Sequence, residues 1–399
     1  MLKWFMLTVY IILCCYVMWS FCRWTKKIYL PKRRAFNIIV CGLILIFAVS
    51  IFLGKFLPEN DYQLLILRFS NYWIGFLIYL IFFTLTADLF LLLLKFASRH
   101  IKSIKHLLYS IFLRTILGLL VILLSISFTV YGCFHAKMLT TAHYKATIQK
   151  SAGKLTDLRM ILLGDFHLGY SVGCSQIEDM VAAINSENAD IVVIAGDIFD
   201  NEYEALQNSD KIAKTLAGIK SRYGSFGVFG NHDVTERLLG GFSVTSKENE
   251  VRDPRFEEFA KKAGIQMLDD EVTLIDDAFY LVGRKDVQKP GDGTTNRMEP
   301  EEILGDLDKT KPIIVLEHQP KQLEELEAAG ADMQLCGHTH DGQMFPGNLT
   351  IKLMWENACG YLKKGNLHSI VTSGVGVWGP AMRVGTDCEI CPITVHFQG

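Results

Sequence analysis

Five short stretches of this chain gather the side chains that bind divalent metals. They are Gly164-Asp165-Phe166-His167, Gly196-Asp197-Ile198-Phe199-Asp200, Gly230-Asn231-His232-Asp233, Glu317-His318-Gln319-Pro320 and Gly337-His338-Thr339-His340-Asp341-Gly342-Gln343. Five of the eleven histidines fall inside them. Carboxylate, imidazole and amide donors in one set suit Mn, Fe or Zn better than Ca. Alternation within a turn aims Asp165 and His167, or His338 and His340, to one side. Singly, each stretch is weak, because Gly-Asp after a strand is common and one histidine is usually structural. Five in order argue for one metal centre.

The elements that must position them are legible as short apolar runs. Met160–Leu163, Ile191–Ala195, Phe226–Phe229, Ile313–Leu316 and Met333–Cys336 each run directly into one of the five stretches. Runs of this length and uniformity read as strands buried on both faces. Between the first two, Ser175-Gln176-Ile177-Glu178 has the form of a capping box, with Ile177, Val181 and Ile184 following at helical spacing. Strand, helix, strand at this spacing predicts βαβ units. Open α/β sheets place their sites at the carboxyl ends of the strands, and glycine before the ligand in four of the five lets the backbone turn there. Val272–Ile275, Phe279–Val282 and Ser369–Thr372 predict further strands, and 284–300 a loop.

The ordered set GDFH, GDIFD, GNHD, EHQP and GHTH resembles the calcineurin-like metallophosphoesterase superfamily. GHTHDGQ together with Ser373-Gly374-Val375-Gly376 and Met382-Arg383-Val384-Gly385 is similar to its membrane-tethered branch. The resemblance covers about 158–397. It implies an α/β fold, a four-layer α/β/β/α sandwich. It implies that Asp165, His167 and His340 hold one divalent metal ion, that Asn231, His318 and His338 hold a second, and that Asp197 bridges the two. His232 would protonate the leaving oxygen or touch the phosphate, and Asp233 would orient His232. The chemistry asks for such residues independently: two cations about 3.5–4 Å apart clamp a phosphate and acidify a water, and hydroxide attacks phosphorus in line. A histidine of ordinary pKa suits the leaving group.

Departures from the family pattern bound what carries over. No arginine stands beside Asp200, which disfavours phosphoprotein substrates. Gly164 replaces a common serine without consequence, and Asp341, in place of glycine, either adds charge at the pocket rim or caps its turn. Gln343, Phe345 and Trp355 either line a substrate wall or pack the loop. Arg383 either reaches a substrate phosphate or makes a surface ion pair. His368 and His396 are expected to be ordinary strand residues.

The first third of the 399 residues is of another kind. Residues 4–22, 35–54, 72–94 and 111–134 are long and apolar enough to cross a bilayer as helices. Arg23-Trp24-Thr25-Lys26-Lys27 after the first span reads as a membrane-surface stop, not a cleavage site. Basic residues crowd the loops 23–34 and 95–110, which makes those loops cytoplasmic. The expectation is an integral, multi-pass protein of the plasma membrane, a linker at 135–157, and a catalytic domain at 158–399 on the extracytoplasmic side. Asp88 is the one ionisable residue deep in a span, with Arg114 as its expected partner. Cys388-x-x-Cys391 lacks the second pair that a zinc ribbon needs.

Net charge of -2 excludes little, but the absence of a basic tract in the C-terminal part speaks against nucleic acid. The expected function is hydrolysis of phosphate mono- or diesters, lipid or cell-envelope in origin, at the membrane surface. The alternatives are a catalytically silent metal-binding sensor or scaffold of the same fold, which would have lost ligands, and a transporter, which would need more intramembrane polar residues.

Overall fold

The computed structural model describes residues 2–28, 30–57, 61–236, 238–239, 242–243, 251–294 and 296–399. The chain divides into two units, one made essentially of 1–133 and one of 134–399. The first contains α1 (Leu2–Thr25), α2 (Arg33–Leu53), α3 (Asp61–Ala97), a short α4 (Lys102–Tyr109) and α5 (Ile111–His135). Four of these, all but α4, are long and apolar enough to cross a membrane. The third is longer than the 72–94 expected. At about 1.5 Å per residue its 37 residues outreach a hydrocarbon core of about 30 Å, because no proline stops the helix before Ala97. The expected loop 95–110 likewise holds α4, which carries Lys102, Lys105 and His106.

Asp88 does have partners, but Arg114 is not the one that the structure provides. Arg23 pairs with the carboxylate, and Tyr16 Oη donates to it at 3.0 Å. Arg114 instead offers its carbonyl to Trp24 Nε1 at 2.7 Å. The indole fits because residue 118 is glycine: a Cβ there would stand 2.0 Å from the Trp24 ring.

The second unit is built on two sheets. The first contains β1 (Leu139–Thr141), β2 (Tyr144–Ile148), β3 (Asp157–Leu163), β4 (Ile191–Ala195), β5 (Ser225–Val228), β8 (Ile265–Met267) and β15 (Cys388–Phe397), in the order β1-β15-β3-β4-β5-β8 with β2 also on β15. A two-stranded pair, β6 (Leu238–Leu239) and β7 (Phe242–Ser243), lies apart from it. The second sheet contains β9 (Glu271–Ile275), β10 (Phe279–Gly283), β11 (Ile313–Leu316), β12 (Met333–Cys336), β13 (Gly360–Lys364) and β14 (Leu367–Val371), in the order β13-β14-β12-β11-β10-β9. The helices are α6 (Cys174–Ser186), α7 (Ser209–Leu216), α8 (Pro254–Lys262), α9 (Pro300–Leu304), α10 (Leu323–Ala328) and α11 (Gly347–Thr350).

The strand runs are apolar throughout because both of their faces are covered. Leu158, Met160, Leu162, Val193 and Val228 meet Phe279, Leu281, Ile314, Leu316 and Leu335 between the sheets. Their sequence neighbours Val282, Ile313 and Val315 pack under Ile303, Leu304, Leu323 and Leu326 on the outer face. Burying period-two residues on both sides gives the four-layer α/β/β/α sandwich.

Two expectations need correction here. The segment 135–157 is not a linker: β1 and β2 pair with β15 along its outer side. The ten residues of β15 would otherwise leave a long open edge, and Ala146 and Ile148 alternate into the core. Ser175 caps nothing, since α6 starts one residue earlier with Gly173 at the cap position. The loop expected over 284–300 carries no helix or strand among its described residues before α9 begins at Pro300.

The layered core gives a direct test. Leu281→Ala, between the sheets, is expected to cost about 2–5 kcal/mol, whereas Leu274→Ala, exposed on the edge strand β9, should stay within about 0.5 kcal/mol. Denaturant unfolding of the two full-length variants measures the difference; equal midpoints would contradict the assigned layers.

Candidate metal centre

Parallel pairing of β3, β4 and β5 in one sheet, and of β10, β11 and β12 in the other, turns these carboxyl ends in common directions. The expected donors therefore meet at one edge, although they lie up to 175 positions apart. The backbone does this under strain. Asp165, His167, Asp197, His338 and His340 all adopt positive φ, between 46° and 76°, which costs a non-glycine residue on the order of 1 kcal/mol or more. The sharp turn is thus made by the ligand residue itself more than by the glycine before it. The glycines serve close approach: a Cβ at Gly230 would lie 2.2 Å from Asp197 Oδ1, and one at Gly337 would lie 2.5 Å from Asp165 Oδ2.

Two donor groups result. In the first, His167 Nε2 and His340 Nε2 stand 3.0 Å apart, with Asp165 Oδ1 3.8 Å from the latter. In the second, His318 Nε2 lies 3.0 Å from Asn231 Oδ1, 3.1 Å from His338 Nδ1 and 3.1 Å from Asp197 Oδ2. Asp197 Oδ2 is also 3.7 Å from His167 Nε2, so one oxygen faces both groups. Ligand bonds of about 2.0–2.2 Å place neighbouring donors at about 3–3.5 Å, and most of these separations match. The donor set therefore fits divalent cations. Buried His167 Nδ1 and Asp200 Oδ1, with no hydrogen-bond partner and 3.6 Å apart, add the carboxylate that commonly backs a ligating histidine.

Contacts behind the donors fix their aim. His318 Nδ1–H donates to the Ala195 carbonyl at 2.8 Å, which directs Nε2 into the site. Asp165 accepts from the His338 backbone N–H, and Asp197 Oδ1 accepts from that of His232. Glu317, one residue before His318, is wholly buried. Its carboxylate holds Arg284 at 3.0 Å, Arg297 at 2.7 Å and Gln334 at 2.7 Å.

Burial and neighbouring charges act against one another in this cluster. Burial pushes the Asp165 carboxyl up to about 6, with the Asp197 charge adding to it and nearby His318 opposing. Burial also opposes ionisation of Asp197, but His318, His232 and His167 hold it well below the usual range. Burial would pull His318 down, and the carboxylates of Asp197, Asp165 and Asp286 raise it to about 10.

His232 and Asp233, expected as a catalytic pair, are arranged differently from that expectation. His232 Nδ1–H donates to Asn201 Oδ1 at 2.5 Å, and Asn201 is held by the Val234 carbonyl and Glu236. Asp233 does not orient His232: its carboxylate accepts the backbone N–H groups of Gly230 and Phe199, at 2.7 and 2.8 Å. Burial pushes Asp233 up to about 7 and pulls His232 down to about 4. Asn201 follows GDIFD directly, and its amide beside a histidine motif was the available signal.

Arg383 is neither at the surface nor facing a substrate. It is fully buried and clamps the last donor loop: Nη1 donates to the His340 carbonyl at 2.9 Å, and Nη2 donates to the Ser373 and Gly376 carbonyls at 2.6 and 2.7 Å and lies 3.1 Å from His340 Nδ1. Gln343 packs the loop, exchanging hydrogen bonds with the Trp378 backbone, while the Phe345 backbone N–H bonds to Val384. Trp355 borders the site, its ring 5.2 Å from that of His338. Asp341 is not the cap of its turn; Thr339 Oγ1 accepts its N–H instead. His368 joins Tyr361 and the Thr147 carbonyl, and His396 pairs with Asp157. Cys388 and Cys391 are free and buried.

Two facing sheets with outer helices and this donor cluster at the strand ends define a metallophosphoesterase. Residues 158–342 match the calcineurin-like phosphoesterases, and this domain belongs to that family. Over 380 residues the chain is 29% identical to a transmembrane protein with metallophosphoesterase domain from Danio rerio, covering 91% of this chain and 81% of that one. It is 29% identical over 391 residues to an uncharacterized metallophosphoesterase of Campylobacter jejuni, covering 94% and 93%. A UDP-2,3-diacylglucosamine pyrophosphatase of Chlamydia trachomatis is 21% identical, with 52% and 72% covered.

Because Arg383 holds a donor loop without facing the pocket, Arg383→Met is expected to weaken metal affinity about 10–100-fold. Arg383→Lys should recover little, since one ammonium cannot replace the fork. Calorimetric Mn2+ titration of metal-stripped full-length protein measures this; wild-type affinity in Arg383→Met would remove the assigned role.

Proposed function

We propose that this chain is a membrane-anchored phosphoesterase that hydrolyses phosphate mono- or diesters at the membrane surface with two divalent cations, Mn, Fe or Zn. One observation carries the reading: a single oxygen, Asp197 Oδ2, faces two donor groups at 3.1 and 3.7 Å. Asp165, His167 and His340 would hold one cation, and Asn231, His318 and His338 the other. When bound, such a pair supplies charge neutralisation for phosphate and a water acidic enough to be ionised near neutral pH.

The protein's own residues do the rest. Asn201 accepts from His232 Nδ1–H and leaves Nε2 for the leaving oxygen. Burial pulls the His232 ring down to about 4, and a bound phosphate anion acts in the opposite sense, favouring the protonated ring that an alkoxide leaving group needs. Asp233 and Asp165 lock the turns by accepting backbone N–H groups. Four helices suited to a bilayer, and a relative named for a diacylated nucleotide-sugar substrate, support a lipid or envelope phosphate as substrate. The basic loops support a plasma-membrane protein with its catalytic domain on the extracytoplasmic side.

Full-length protein reloaded with Mn2+ should cleave p-nitrophenyl or bis-p-nitrophenyl phosphate, and Asp197→Asn or metal stripping should reduce this to background. Turnover by stripped protein would refute the mechanism. His232→Ala should lower kcat about 10²–10⁴-fold for an alkyl phosphate but much less for the nitrophenyl ester, whose leaving group needs no proton. Equal losses on both would assign His232 to phosphate binding.

A further inference from the structure

Three highly exposed large apolar side chains of the phosphoesterase unit, two of them the most exposed among its described residues, lie on one short segment beside the metal centre. Leu353 is 87% exposed, Met354 75% and Leu349 59%. They sit on α11 and the 3-10 turn Ile351–Leu353 that continues it, with Lys352 exposed between them. The next residue is Trp355, whose ring touches His338 and carries the Lys321 ammonium 5.3 Å above it. An apolar cluster left open to water beside a site marks an interaction surface.

The tip is held firmly. Asn348 Nδ2 donates to the Gly385 carbonyl at 3.2 Å, the Phe345 N–H to Val384 at 2.8 Å, and Thr386 Oγ1 to Gln343 at 2.8 Å.

What it meets follows from sheet register. His135 ends the last apolar helix, and only residues 136–138 separate it from β1. Leu139 on β1 pairs with Cys388 at the start of β15, and His135 Nε2 lies 2.7 Å from Asp387 Oδ1. The same strand pairs Cys391 with Leu162, three residues before Asp165. The chain therefore enters this unit at the sheet edge where the donors lie. Three residues therefore join that helix to the strand that starts at the metal edge.

We propose that Leu349, Leu353 and Met354 form a tip that docks into the lipid bilayer beside the metal centre, with Lys352 at headgroup level. Apolar side chains flanked by lysine are the composition that seats a segment at a membrane interface. A substrate phosphate held in that leaflet then reaches the donors without leaving the membrane surface. The proposal rests on the membrane-anchored reading above, but not on the hydrolytic chemistry.

The test is photo-crosslinking of the full chain in nanodiscs of phosphatidylcholine and phosphatidylglycerol, with p-benzoylphenylalanine in place of Leu353, of Leu123 in α5, or of Leu274 on β9, and lipid adducts read by mass spectrometry. All three positions are exposed, so folding is retained. Adducts at 123 and 353 and none at 274 are expected. Adducts at 123 alone, or at 353 only with a second protein molecule, overturn the docking tip and leave the anchor standing. No adduct at 123 overturns the anchor and the tip with it. Adducts at all three positions overturn the tip as a selective contact. None of these outcomes depends on turnover, so failure of hydrolysis is a separate result.

Discussion

Two carboxylates, Asp165 and Asp197, sit buried among imidazoles at the mouth of two sheets, and the rest of the second unit is arranged around the need to neutralise them. An isolated buried carboxylate costs several kcal/mol. Here the cost is met by backbone N–H groups from His338 and His232 and by the ring of His318. Cations held by the two donor groups would take over that role from the imidazolium. The place that most needs positive charge is therefore also the place whose donors are suited to hold it.

The geometry behind the donors explains how imidazoles far apart in sequence reach one point. Three of the expected ligands are backed by fixed groups: His318 by the Ala195 carbonyl, the His340 backbone by Arg383, and His167 by the nearby Asp200. Glu317 with Arg284 and Arg297 makes a buried ion cluster whose members leave few groups unsatisfied. Such a cluster adds little net stability; its consequence is that the backbone entering His318 has one position. The glycines work in the same sense, because carboxylate oxygens occupy the space where a Cβ would be.

The join between the units is equally economical. Three residues separate the last apolar helix from the first strand, and that strand pairs beside β15 at the donor edge. β1 and β2 at the same time cover an edge of β15 that would otherwise be open.

By itself the sequence determined the apolar spans, the strand runs and the polar residues that follow them as candidate donors, since each rests on local signals: hydropathy over about 20 residues, period-two burial, and polar residues directly after a strand. It also determined the family, because five motifs in order are a one-dimensional pattern. Tertiary structure alone decided what depends on pairing across long separations. Asn201 reaches His232 across a turn, Asp233 serves the backbone, Arg383 goes inward to His340, Arg23 takes Asp88, and 135–157 becomes sheet because β15, some 240 residues later, needs a neighbour. A long charged side chain reads alike at the surface and in the core until the carbonyls that receive it are in place, so its partner is a property of the fold and not of its neighbours in the chain.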